Sequence, residues 1–375
     1  MEKYNYYKGL DGLRCIGMIL ITIAHIEWMK IRFGYDNYFS YFKQPAIGNA
    51  SVTLFFVLSG FLITIVLLKE KLTTGTISVL QFYKRRIVRI WPLYYLIVLI
   101  GLLIFVNLPL LQHIWESENW KENKFAVWCI YLTHVPNIYF LFPKIPVIGQ
   151  TWSIGVEEQF YLLWPILLKY PKKTLRVALV ALFGVLLCKG AISIWSHDES
   201  KIEIFQNINR FLFLSRYECF IIGGLAAYMV VYKKENILQL LLKKWVQWSA
   251  YLIFLALFLS RAVDRGIDQL VYSILFSVML LNISLNPQSL VKFEWKPMLY
   301  LGKISYGVYI FHPLVIISVL QVYSLNNCGK TIPLIDNMII YLVVLALSIS
   351  IAAFSFRYYE GFFQKIFKNV NRQHK

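Results

Sequence analysis

The sequence predicts an all-α, polytopic membrane protein with about ten transmembrane helices. The 375 residues are 58% hydrophobic and only 15% charged, whereas soluble domains are roughly half apolar and about a quarter charged. Apolar runs follow one another along the whole chain, and most are long enough to cross a bilayer. Many tryptophans stand near the ends of these runs, where membrane proteins carry interfacial aromatic belts.

The loop charges orient the predicted helices. The apolar runs lie at about 13–29, 50–68, 87–106, 126–142, 154–169, 175–195, 217–232, 246–262, 269–285, 304–323 and 337–356. Lys and Arg concentrate at 1–14, 69–89, 169–176, 233–244, 292–303 and 357–375. The positive-inside rule places these segments and both termini in the cytoplasm. It also explains the net charge of +18, so we expect no nucleic-acid partner.

The run at 126–142 is predicted not to cross, because a crossing would put every later basic loop outside. His134, Pro136 and Asn137 also interrupt it. We therefore predict a re-entrant or interfacial segment on the outer side, and ten spanning helices. The first apolar run has no cleavage site and is predicted to be retained. Residues 1–375 are thus expected to form one domain of a multi-pass cell-membrane protein, without an appended soluble domain.

The first predicted helix carries Arg14 and His25 on one face. They are eleven residues apart, which is about three helical turns and roughly 16 Å along the helix. An ionisable residue within a membrane segment is costly and marks a functional site by default. The alternative is that His25 makes a structural hydrogen bond to a neighbouring helix.

The run at 154–169 opens with two adjacent carboxylates, Glu157 and Glu158. Glu157 and Tyr161 are four residues apart and share a face. Trp152 lies at the start of the same stretch. On the predicted topology Glu157 and His25 lie at similar depth in the outer half. We therefore predict that Glu157 orients His25 as a general base. Compensation of the helix dipole is the alternative for both carboxylates.

Two further stretches carry polar groups near or inside the membrane. Arg86 and Arg89 lie three residues apart at the predicted cytoplasmic mouth of the third helix. Their forked guanidinium groups suit phosphates, although topological anchoring is an equal alternative. His312 lies mid-membrane, shares a face with Tyr309, and is followed by a kinking proline. A structural role for this pair is an equal alternative to a chemical one. No residues stand at metal-ligand spacing, so no metal site is predicted.

Together these stretches resemble the acyltransferase-3 family, bacterial integral-membrane enzymes that O-acylate cell-surface glycans. The resemblance rests on residues 10–14 with His25, and on 54–64, 85–92, 152–165, 215–223 and 305–313. It implies an acyl-CoA donor used from the cytoplasm, His25 as the catalytic residue, and donor binding by Arg86 and Arg89. The family's Glu-x-Pro-Phe looks like Glu360-Gly361-Phe362-Phe363 here, without its proline.

The predicted function is therefore transfer of an acyl group, acetyl in the first instance, from acyl-CoA to a hydroxyl of a cell-surface or lipid-linked polysaccharide. In this hypothesis His25 deprotonates the acceptor with help from Glu157. Arg14, Arg86 and Arg89 hold the CoA phosphates, and the predicted substrate-binding residues are Trp152, Tyr161, Tyr309 and His312. Two alternatives stay open: a transporter of glycans or lipid-linked oligosaccharides, and a non-catalytic membrane subunit of a glycan-synthesis complex.

Overall fold

The computed structural model describes residues 7–38, 46–114, 122–141, 145–170, 173–196, 203–260, 267–327 and 329–373. All regular structure in these ranges is helical, which confirms the predicted all-α class. The α-helices are α1 (Lys8–Arg32), α2 (Ala46–Thr74), α3 (Val79–Leu99), α4 (Lys124–Leu132), α5 (Thr151–Lys169), α6 (Thr174–Ser196), α7 (Glu203–Ser215), α8 (Tyr217–Val231), α9 (Glu235–Leu241), α10 (Lys244–Ser260), α11 (Ile267–Leu285), α12 (Lys296–Asn326), α13 (Leu334–Phe354) and α14 (Gly361–Gln373).

Shorter helical segments join several of these elements. A π-helical segment, Ile100–Ile104, continues α3, and a second one, Ser355–Glu360, joins α13 to α14. The 3₁₀ segments are Phe105–Asn107, Pro109–Ile114, Pro136–Leu141 and Pro146–Ile148.

Among the described residues, eight helices are long and apolar enough to cross a membrane. A ninth span results if α9 and α10, which meet at 57°, form one bent span. The sequence predicted ten spans, and α5 is the one that neither the count of eight nor that of nine includes. It is helical over the predicted run but is not one of the eight, because Glu157, Glu158 and Gln159 lower its hydropathy. The count of ten and the cytoplasmic location of both termini stay predictions.

The segment predicted not to cross is built from short pieces. It contains the nine residues of α4 and the six-residue 3₁₀ segment Pro136–Leu141, whereas a helical crossing needs about 20 residues. Between them His134 adopts a positive φ of 58°. This left-handed conformation is uncommon for a residue other than glycine, and it turns the chain after α4.

The chain divides into two compact units that alternate along the sequence. The first unit contains the residues up to Gly17, Asn49–Val79 and Val156–Leu299. The second contains Met18–Gly48, Leu80–Gly155 and Tyr300–Lys375. The prediction of one membrane domain over residues 1–375 stays a prediction.

In the first unit, small residues let the backbones of α2 and α8 touch. A β-carbon at Gly60 would lie 2.0 Å from the backbone oxygen of Phe220, and one at Gly223 would lie 2.1 Å from that of Val57. No side chain fits there, so close helix packing is the reason for glycine at both positions. Arg216, which separates α7 from α8, donates to Asn49 and the hydroxyl of Thr53 on α2.

In the second unit, a buried polar network joins α1 to α13. Lys30 donates to Glu27 on its own helix and to the amide oxygen of Asn337. Glu27 also accepts hydrogen bonds from the hydroxyl of Tyr341, at 2.5 Å, and the backbone N–H of Tyr38, at 2.6 Å. Neither charged side chain is exposed. Each charge is therefore neutralised where water cannot solvate it.

Candidate active site

The second unit brings together two histidines that are 287 residues apart in sequence. His25 Nδ1, on α1, lies 2.6 Å from His312 Nε2, on α12. The two rings stack with centroids 4.9 Å apart and planes inclined by 15°. His312 is completely buried, whereas His25 is partly exposed. On its far side, His312 Nδ1 lies 3.2 Å from the backbone oxygen of Val308.

These partners determine which nitrogens carry protons when both rings are neutral. The carbonyl of Val308 can only accept a hydrogen bond, so His312 Nδ1 is the protonated nitrogen and its Nε2 is an acceptor. His25 Nδ1 must then donate to that acceptor. The remaining nitrogen, His25 Nε2, carries the lone pair. The partly exposed histidine is therefore a base whose tautomer is held by the buried one.

The start of α5 is attached to α12 next to this pair. Tyr309 donates its hydroxyl proton to the backbone oxygen of Gln150, at 2.9 Å, and its oxygen lies 2.7 Å from the Ser153 hydroxyl. Gln150 Nε2 donates to the backbone oxygen of Ile310 at 2.8 Å. The Tyr309 ring lies 5.5 Å from that of His312. Tyr309 and half-buried Trp152 thus belong to the same unit as the histidine pair.

Two of the three arginines predicted to bind the donor, Arg86 and Arg89, lie on α3 in the second unit. The Arg86 guanidinium lies over the Phe82 ring at 5.4 Å from its centroid, and Arg89 is exposed. Glu360, in the π-helical segment after α13, is buried and close enough to Arg89 for electrostatic attraction. A buried carboxylate therefore lies beside this arginine.

Three predicted residues lie in the first unit. Glu157 accepts hydrogen bonds from the Ser59 hydroxyl, at 3.0 Å, and from the Tyr161 hydroxyl, at 3.1 Å. Arg14 pairs with Asp11 at 2.9 Å in the first turns of α1. The contact described at His25 Nδ1 is made by His312, in the second unit. The proposed roles of Glu157, Tyr161 and Arg14 stay predictions.

Sequence reasoning missed two groups in the second unit. Glu27 and Lys30 carried a usable signal, since opposite charges three residues apart near the end of a membrane helix predict a buried pair. Gln150 carried none, because a polar residue in a loop is ordinary. Within the described ranges, no three His, Cys, Asp or Glu side chains are grouped closely enough to hold a metal ion.

A family model described as an acyltransferase domain matches residues 7–357. The chain belongs to this acyltransferase family. The resemblance drawn from the sequence motifs is therefore confirmed, and the matched range contains both histidines and all three arginines predicted to bind the donor.

The similar curated proteins carry the name O-acetyltransferase. The chain is 27% identical to O-acetyltransferase OatA of Staphylococcus aureus strain NCTC 8325 over 386 residues, which is 96% of this chain and 57% of that protein. It is 26% identical to a putative O-acetyltransferase of S. aureus strain COL, over 97% of this chain and 58% of that protein. The chain thus spans somewhat more than half the length of these relatives. No solved structure matches it.

Proposed function

We propose that this protein is a membrane O-acyltransferase of the cell membrane. It transfers an acyl group, acetyl in the first instance, from acyl-CoA to a hydroxyl of a cell-surface or lipid-linked polysaccharide. The observation that carries the proposal is the His25–His312 pair, which leaves a lone pair on the partly exposed ring. The relatives' name supports oxygen as the accepting atom and acetyl as the group.

In the proposed reaction His25 acts first as base and then as acid. Its Nε2 takes the proton of the acceptor hydroxyl while that oxygen attacks the thioester carbonyl. A C–O bond forms, the C–S bond breaks, and the CoA sulfur leaves with the proton from His25. His312 stabilises the intermediate imidazolium, because its acceptor nitrogen receives the Nδ1–H of His25. This direct route needs no covalent acyl-enzyme.

We propose that arginines on the predicted cytoplasmic side bind the donor, whereas the acceptor binds on the outer side. Acyl-CoA carries phosphates, which guanidinium groups bind in a forked geometry. Arg86 and Arg89 lie three residues apart on α3, and Arg14 lies eleven residues before His25 on α1. We assign acceptor binding to Trp152, Tyr309 and Tyr161, as the sequence predicted, and the orienting role predicted for Glu157 stays a prediction.

The test uses the purified full chain in liposomes, radiolabelled acetyl-CoA, and surface glycan extracted from cells that lack the gene. We expect His25→Ala to lower kcat by about 10²- to 10⁴-fold, the usual contribution of a general base, with acetyl-CoA still bound. Arg14→Ala and Arg86→Ala are expected to raise the KM for acetyl-CoA instead. His113→Ala is the matched control. Among the described ring contacts, the one made by His113 is with the edge of Phe33.

An unchanged kcat in His25→Ala would overturn the proposed chemistry. Movement of glycan across the liposome membrane without acetyl-CoA would support the transporter alternative. Mass spectrometry of surface glycans from wild-type and deletion cells identifies the acyl group and the acceptor.

A further inference from the structure

Two tyrosines of α3 cap the end of α4. The last carbonyls of a helix lack partners within the helix. Tyr94 donates its hydroxyl proton to the backbone oxygen of Tyr131 at 2.7 Å, and Tyr95 donates to that of Leu132 at 3.0 Å. Because a tyrosine hydroxyl has one proton, Tyr95 has none left for a further acceptor.

This capping determines the tautomer of His134. Its Nδ1 lies 3.2 Å from the Tyr95 oxygen, so Nδ1 must be the donor and Nε2 carries the lone pair. Nε2 is buried and has no hydrogen-bond partner among the described residues. The ring stacks on Trp91 and Tyr94, with centroids 5.0 and 4.1 Å away. Burial lowers the pKa of His134 to about 4, so the ring is neutral at pH 7.

A second buried acceptor lies on the loop before α5. Gln150 Nε2 donates to the carbonyl of Ile310, and since a carbonyl only accepts, the amide orientation is determined. Its Oε1 therefore points away from Ile310. That oxygen is buried and has no donor within the described ranges, and the whole residue is only 3% exposed.

The backbone brings residues 134–136 against the helix that follows Gln150. A β-carbon on Gly155 would lie 2.8 Å from Pro136 Cδ and 3.1 Å from the His134 backbone oxygen, so residues 134–136 rest on the first turns of α5. Gln150 lies five residues before Gly155, which is roughly 7.5 Å along a helix. Gln150 in turn bonds to α12 two residues from His312.

We propose that His134 and Gln150 form a subsite that binds hydroxyl groups of the acceptor glycan. Both atoms are acceptors, and a buried acceptor without a donor costs about 1–3 kcal/mol. A glycan carries many hydroxyl groups and few charges, so it can donate a hydrogen bond to each of the two acceptors. The subsite deepens the proposed function, on which it rests, and adds contacts beyond the reacting hydroxyl at His25. A buried water is the other source of the same donors.

The test measures the concentration of extracted surface glycan that gives half-maximal transfer from radiolabelled acetyl-CoA. His134→Phe keeps the stacked ring and removes Nε2. Gln150→Met keeps the chain length and removes Oε1. We expect each to raise the half-saturating glycan concentration about 5- to 10-fold, the effect of one hydrogen bond. The half-saturating concentration of acetyl-CoA is expected to stay within about twofold.

Tyr94→Phe is the matched control, because it removes one cap of α4 but keeps the ring stacked on His134 and the Tyr95 hydroxyl at Nδ1. An equal rise in Tyr94→Phe would overturn the subsite, as would unchanged half-saturation in both His134→Phe and Gln150→Met. Lower thermal stability without a change in half-saturation would assign the two atoms to buried water and would also overturn it. A wild-type protein that transfers nothing to the glycan would instead overturn the proposed function, and the subsite with it.

Discussion

Substitution of His312 tests whether one histidine orients the other. His312→Leu removes the acceptor of the His25 Nδ1–H while filling much of the buried volume. His312→Gln puts a carbonyl oxygen near the former Nε2, so it can still receive that hydrogen bond. If His312 holds the tautomer of His25, the two variants should differ strongly in kcat. If it only fills space, they should behave alike.

The size of the effect follows from the geometry of the pair. The bond is short, 2.6 Å, and becomes charge-assisted when His25 takes the proton. Hydrogen bonds to charged groups contribute about 1.5–3 kcal/mol, which corresponds to a rate factor of roughly 10 to 150. We expect this loss of kcat in His312→Leu, and a loss of less than about tenfold in His312→Gln. The KM for acetyl-CoA should not change in either variant.

The assay is steady-state transfer to extracted glycan at saturating acetyl-CoA, with thermal unfolding in detergent as a check that both variants fold. Rescue by glutamine separates an orienting role from a structural one, because only the hydrogen bond is restored. Equal kcat for His312→Leu and the wild type, with both proteins folded, would refute the reasoning. Equal loss in the leucine and glutamine variants would also refute it.

Three further predictions concern stability. Lys30→Met leaves Glu27 buried without its cation and should lower the free energy of unfolding by about 3–5 kcal/mol. The double variant Glu27→Gln/Lys30→Met removes both charges and should lower it much less. Equal decreases in the two variants, measured by thermal unfolding, would contradict this. Because folding lowers the pKa of His134 to about 4, the unfolded state binds more protons between pH 6.5 and 4. Stability should therefore fall by about 3 kcal/mol as the pH drops through this range, and His134→Phe should lack that component. Gly60→Ala should cost about 1–3 kcal/mol, since its β-carbon would lie 2.0 Å from a backbone oxygen of α8. Gly184→Ala should not lower the free energy of unfolding, because a β-carbon at Gly184 would have no atom within 4 Å.

The sequence predicted the helices of this protein well, because hydrophobic length is a local property. The run at 13–29 became α1, which carries both Arg14 and His25 as expected. The same reasoning predicted that the broken run at 126–142 does not cross, and the structure has short helical pieces of nine and six residues there. At α5 the crossing stays a prediction, because apolar residues follow a polar turn and the helix lies outside the group of eight candidate spans.

The partner of His25 could not be predicted in the same way. Glu157 was chosen because its expected depth matched that of the histidine. Depth follows from the distance to a loop, but two residues at one depth touch only if their helices are neighbours and are rotated towards each other. Glu157 bonds to Ser59 and Tyr161, His312 contacts His25 Nδ1, and the orienting role of Glu157 stays a prediction.

The sequence alone determined the membrane-protein class, the family, and the histidine on the first helix, because composition, motif order and a charge in an apolar run can all be read locally. Only the tertiary structure decided which groups meet. It paired His25 with His312, joined Lys30 and Glu27 to Asn337, and left acceptors on His134 and Gln150. Periodicity gives each helix an inward face, but the neighbour on that face is selected by packing among residues far apart in the chain.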